Sequence, residues 1–147
     1  MRYHQEVDGE RGFTLIELLV VILIVGLLAA IAIPSFLNQT GKAVDAAAKA
    51  LTQEAQTAAE AFASDHNGDY SNLTATVLNQ YESAIQTVSG LGNAWVSGVT
   101  NTTATGYKIT VSAVGGDTFT ITRSNGSLTR SCTPSSGTHG GCNNGTW

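Results

Sequence analysis

The chain has 147 residues, 7 Lys+Arg against 11 Asp+Glu, only 12% charged residues and a formal net charge of -4. That length leaves room for one modest domain beside a single membrane segment, and the weakly acidic balance gives no basic footprint of a nucleic-acid-binding protein. No cofactor box and no metal cage is visible, since His4, His66 and His139 are scattered along the chain.

Met1 to Gly12 is hydrophilic, with Arg2 and Arg11 beside Glu6, Asp8 and Glu10. The apolar run comes after it. Leu18 to Ile33 holds only apolar side chains and Gly, and with Phe13 to Ile16 makes about 21 residues, enough to cross a hydrocarbon core of ~30 Å as a helix. An ordinary secretory signal has its apolar core ahead of the cut, whereas here the hydrophilic stretch precedes the apolar run. One acid, Glu17, sits just inside the run, at an insertion cost of about 2.5–3.5 kcal/mol, so it is expected to meet a partner charge.

Gly12-Phe13-Thr14-Leu15-Ile16-Glu17-Leu18 resembles the class III signal and first helical turn of type IV pilins and their pseudopilin relatives. The resemblance covers roughly residues 9–70 well and the remainder in general plan. It implies that a prepilin peptidase cuts between Gly12 and Phe13 and N-methylates Phe13. It also implies a precursor held in the inner membrane with its head outside, and an extracellular filament of packed apolar helices. The partners so implied are copies of the chain, the peptidase and inner-membrane assembly machinery, with no nucleic acid. Glu17 is the expected assembly residue, needing a cation in a low-dielectric core just as the new amine of Phe13 needs an anion.

From Thr14 to about His66 the pattern predicts one helix, about 80 Å long, weakened at Gly26, Pro34 and Gly41. Pro34 lacks an amide donor, so a kink or locally unwound stretch is expected between Ala30 and Pro34. The resemblance adds that the stretch from Gly26 to Pro34 loses helical bonds in assembled pili. Beyond Gly41, Val44, Ala48, Leu51, Ala55, Ala58 and Phe62 recur at helical spacing and predict a face covered by the head. Asn67-Gly68 supplies the stop.

Asp69 to about Thr105 reads as an irregular connection with one short helix around Thr74 to Tyr81. The spacing Asp65, Asn67, Asp69 begins like a calcium loop, but Tyr70 and Thr76 stand where Gly and Glu are required. Tyr107 to Val114, Thr118 to Thr122 and Ser127 to Cys132 alternate or follow turn signals, and with Gly115-Gly116 and Asn125-Gly126 as two-residue turns they predict three consecutive antiparallel strands. Tyr107, Ile109, Val111, Phe119 and Ile121 supply the buried face. In an exported domain Cys132 and Cys142 read as a disulfide. The resemblance makes the loop they bound a recognition edge.

The expected fold is α+β, a long helix packed on an antiparallel sheet of three to four strands. Its expected segments are leader 1–12, membrane and filament-core helix 13–36, amphipathic second half 37–67 and head 68–147. Within the head lie a connection 68–106, a β-meander 107–132 and a disulfide loop 132–142. The function so implied is a structural subunit of a type IV pilus. A pseudopilin of a type II secretion apparatus and a DNA-uptake pilin are the alternatives; Ser and Thr without a positioned His and acid give no support for catalysis.

Overall fold

The computed structural model describes residues 12–134 and 138–147; the side chains of Asn38, Thr138 and His139 lie outside the description, as does most of the expected leader. Eight elements follow in order: α1 (Leu15–Asp65), α2 (Ala75–Tyr81), β1 (Ala94–Thr103), β2 (Gly106–Ala113), β3 (Thr118–Ser124), β4 (Ser127–Thr133), β5 (Thr138–His139) and β6 (Cys142–Asn143). Contacts divide the chain into two compact units, one ending at Leu37 and the other running from Asn38 to Trp147.

In the second unit the helix is built largely from Ala, the residue of highest helix propensity. It stops where the sequence says it should. Asn67 and Gly68 take φ of 56° and 85°, and the Gly68 amide reaches back 2.7 Å to the Ala63 carbonyl, the six-to-one bond of a left-handed helix stop. Ala48, Leu51, Ala55, Ala58 and Phe62 are buried as the periodicity requires and Val44 is half-buried, while Asp45, Thr52, Ala59 and Ala63 join the same stripe. Thr52 survives there because its hydroxyl donates to the Ala48 carbonyl, 2.7 Å away.

The sheet is antiparallel in the order β1-β2-β3-β4. Tyr107, Ile109, Val111, Phe119 and Ile121 are fully enclosed and form one cluster with the buried stripe of α1. The α+β fold and the inward face are therefore those expected. Asn125 and Gly126 close β3 onto β4 with φ of 48° and 81°, both positive as a type I′ turn demands. Between β2 and β3 the expected two-residue turn is instead a longer loop: the Ala113 amide bonds the Asp117 carbonyl at 2.8 Å, leaving Val114, Gly115 and Gly116 outside the ladder, with Gly116 at φ 96°.

The larger departure is β1, ten residues in a stretch expected to be irregular. Its pairing with β2 shifts between Val96 and Gly98 and again between Thr100 and Thr103, and Asn101 sits at φ 52° inside it. Two irregularities in ten residues break the period of two on which a strand is recognised. α2 forms as expected, with Thr74 as its N-cap accepting from the Val77 amide and Leu78 fully buried.

One polar cluster ties helix to sheet. Glu60 accepts from the Tyr70 hydroxyl at 2.7 Å on one oxygen, and from the Tyr107 hydroxyl and the Arg123 guanidinium, both at 3.0 Å, on the other. Burial, then the neighbouring Glu60 charge and its hydrogen bond, push the Tyr107 phenol well above its ordinary value. Burial and the Glu60 bond raise Tyr70 as well.

Register places the other sheet face outward. Ser112, Thr118 and Thr133 lie side by side across β2, β3 and β4, and Thr110, Thr120 and Ser131 form the next row. Hydroxyls within these rows bond each other, Thr110 to Thr120 at 3.2 Å and Thr118 to Thr133 at 2.6 Å.

Candidate assembly helix and C-terminal loop

Gly12 and Phe13 precede α1 outside any regular element, both exposed, and beyond its chain neighbours no heavy atom lies within 4 Å of where a Cβ on Gly12 would stand. From Phe13 to Leu37 every large apolar side chain is exposed, from 44% at Val20 to 91% at Phe13. Water does not tolerate so continuous an apolar surface, and this part of α1 is long and apolar enough to cross a membrane. The helix is continuous through Gly26 and Pro34; the missing donor of Pro34 leaves the carbonyl of Ala30 without its helical partner.

Glu17 has a local bond that the residue-by-residue reading missed. One of its oxygens accepts from both the Thr14 amide and the Thr14 hydroxyl at 2.8 Å, and the Glu17 amide lies 3.3 Å from the Thr14 hydroxyl oxygen. This is a capping box, two orphan amides at the start of a helix satisfied reciprocally. Its signal, Thr-x-x-Glu before an apolar run, stands plainly at Thr14 to Glu17.

At the other end of the chain Cys132 and Cys142 form the expected disulfide, with Cα atoms 5.7 Å apart. Cys132 belongs to β4, opposite Phe119. The loop that the bond closes is also seated on α1. The buried carboxylate of Asp45 accepts from the Gly141 amide at 2.7 Å; a Cβ on Gly140 would collide with that carboxylate, and one on Gly141 would come within 2.9 Å of the Lys49 ammonium. Only two glycines in succession let the backbone approach so closely. Trp147 completes the seat, donating 3.0 Å to the Ser131 carbonyl and standing edge-on to Phe119, with Lys49 and Arg130 at 5.9 Å and 5.3 Å from its ring.

Cys132→Ser is therefore expected to lower head stability by about 2–3 kcal/mol, since the bond closes a loop of sequence separation 10, while the apolar part of α1 stays membrane-embedded. Thermal melts of the chain in detergent with and without reductant, beside non-reducing peptide mapping, check both halves. Two alkylatable thiols in the exported protein would contradict them.

Glu17, Gly26 and Pro34 thus lie along one exposed helix, and the disulfide loop is seated on the head. Residues 8–33 match the prokaryotic N-terminal methylation motif. The chain is 44% identical over 74 residues to the type IV major pilin protein PilA of Myxococcus xanthus, a match covering 49% of this chain and 34% of that protein. It is 36% identical over 96 residues to prepilin peptidase-dependent protein D of Escherichia coli, covering 57% of this chain and 62% of the other. A fimbrial protein of Pseudomonas aeruginosa is 34% identical over 126 residues, covering 80% of this chain and 81% of that one. The chain thus spans about a third of the Myxococcus protein but most of the Pseudomonas one. No solved structure matches it. A match of 126 residues cannot come from the exposed apolar segment alone, which ends at Leu37; it takes in the head, and the chain belongs to the type IV pilin family.

Proposed function

We propose that this pilin is a structural subunit of an extracellular type IV pilus serving adhesion or motility. The observation that carries the reading is the exposed apolar surface from Phe13 to Leu37, most of which lies within the residues 8–33 that match the methylation motif. Before assembly that surface is covered by the inner membrane, with the head outside. In the filament, copies of the same helix cover it. The prepilin peptidase cuts after Gly12, a site open enough to enter a protease cleft, and methylates Phe13. The name of the Escherichia coli relative, prepilin peptidase-dependent protein D, supports that step. The stretch from Gly26 to Pro34, helical here but weakened by Gly26 and by the missing donor of Pro34, unwinds as the helix leaves the membrane, letting the fibre extend under load. Pilins are building units rather than enzymes, and nothing in this reading requires catalysis by the chain.

Replacing Gly12 with Trp is expected to trap the uncut chain in the membrane, because the junction then fills the space a small residue leaves open. Intact-mass measurement of wild-type protein should give a chain starting at methylated Phe13. Any other start overturns the proposed site. Electron microscopy of a deletion strain then tests the filament: loss of long surface fibres supports a pilus. A secretion defect with surface fibres intact would instead favour the pseudopilin alternative.

A further inference from the structure

The outward face of the four-stranded sheet differs from an ordinary solvated face. Such faces normally mix Lys, Glu and Asp for solubility. Here the register puts hydroxyls side by side, Ser112 with Thr118 and Thr133, and Thr110 with Thr120 and Ser131, while Thr122 and Thr129 continue the array. Lys108, beside Thr122, is the single charge among the described residues of this face. Strand spacing sets the backbone positions that carry them about 4.8 Å apart across the sheet and about 6.7 Å apart along it, and the bonded hydroxyls draw closer, to 3.2 Å between Thr110 and Thr120 and 2.6 Å between Thr118 and Thr133.

The array is also ordered in advance. Thr110 bonds Thr120, Thr118 bonds Thr133, and the Ser97 hydroxyl donates to the Thr110 carbonyl at 3.2 Å. Thr120 is only 7% exposed, so its neighbours already hold its rotamer. Side chains fixed before binding lose little entropy on binding. Thr is favoured in strands for its shape alone, but that preference explains neither the near absence of charge nor the bonded rows.

We infer that this face binds the flat surface of a neutral, crystalline polysaccharide. A sheet of ordered hydroxyls offers donors and acceptors to a polymer whose own surface repeats them, and the half-buried Trp95, in register with Ser112 at the end of one row, adds an aromatic side chain beside it. Nucleic acid is a poor occupant, because phosphate contacts need Lys and Arg and, among the described residues of this face, Lys108 stands alone. A protein partner is poorly matched too, since interface cores draw on aromatic, Met and Arg side chains. The face belongs to the head and does not depend on the filament reading.

Purified wild-type filaments, counted by electron microscopy beforehand, are mixed with microcrystalline cellulose and sedimented at low speed, and the bound fraction is read by immunoblot. Retention that persists in raised salt is expected, because neutral hydroxyl contacts are not screened. Ser131→Lys sets a charge in a hydroxyl row at an exposed position of the edge strand, where Lys is structurally tolerated, and should cut binding roughly tenfold. Ser83→Lys, exposed in the loop after α2, should bind like wild type. A far-UV circular dichroism melt confirms that both variants fold. If the wild type gives no filaments, the same assay on the detergent-solubilised chain still tests the face. No retention of wild type, or equal retention of the two variants, overturns the inference. So does a failure of folded Ser131→Lys to form filaments, which would make this face a contact between copies of the chain.

Discussion

Glu17→Val is expected to reach the membrane and be cut after Gly12, yet to give few filaments when it is the sole subunit. An apolar side chain saves the insertion cost of about 2.5–3.5 kcal/mol, so if the acid were merely tolerated in the membrane the variant would assemble as well or better. If the carboxylate neutralises the methylated amine of Phe13 in an adjacent copy, its loss strands that amine in the fibre core, at several kcal/mol per subunit. The capping bond to Thr14 adds a third account, in which Glu17 matters only because it holds the first turn of the helix. Glu17→Gln separates them. Its side-chain oxygen can still accept from the Thr14 amide, but it carries no charge. Under charge pairing Gln is nearly as poor as Val, whereas under capping alone Gln assembles almost normally. Filament yield by electron microscopy, scored beside the cleaved fraction on an immunoblot, decides. Normal yield from Glu17→Val alone would sink both accounts and leave helix packing sufficient.

Local signals carried most of the fold. The helix stop at Asn67-Gly68, the turn at Asn125-Gly126 and the alternation of β2 and β3 each depend on residues within one turn or one strand of each other, and each formed where expected. β1 was illegible for a physical reason: Gly98 and Asn101 serve its bulges, and those residue types read locally as loop. The seat of the disulfide loop was hidden in another way. Asp45 looks like one more polar residue of an amphipathic helix until Gly140 and Gly141, 95 and 96 positions on, are brought against it. The motif from Gly12 to Glu17 was legible because its parts are contiguous, and the capping box inside it was overlooked although its spacing was on view. The hydroxyl rows needed the register of three strands, which no single strand states.

Glu60 is the clearest case of a residue whose role only the fold discloses, since its partners Tyr70, Tyr107 and Arg123 follow it by 10, 47 and 63 positions. Glu60→Ala is expected to destabilise the head by about 2–4 kcal/mol, because the enclosed Tyr107 hydroxyl and the Tyr70 hydroxyl lose their acceptor together and Arg123 its counter-charge. In a domain of this size that lowers the melting midpoint by on the order of 10 °C. Most of the cost falls on the tyrosines. The Arg123–Glu60 pair is 29% and 36% exposed, so the ion pair itself contributes only about 0.2–1 kcal/mol. Glu60→Gln, which keeps an acceptor but drops the charge, should therefore cost about 1 kcal/mol or less. The raised tyrosines give the cluster a pH signature. Their folded values lie above the unfolded value of about 10, so the stability they contribute is whole below that pH and falls as pH climbs past it. Tyr107→Phe should flatten that alkaline fall, at a cost of about 1 kcal/mol near neutrality. Thermal melts of the chain in detergent across neutral to alkaline pH measure all of these. A Glu60→Gln variant as unstable as Glu60→Ala would show that the charge, and not the acceptor, holds helix and sheet together here.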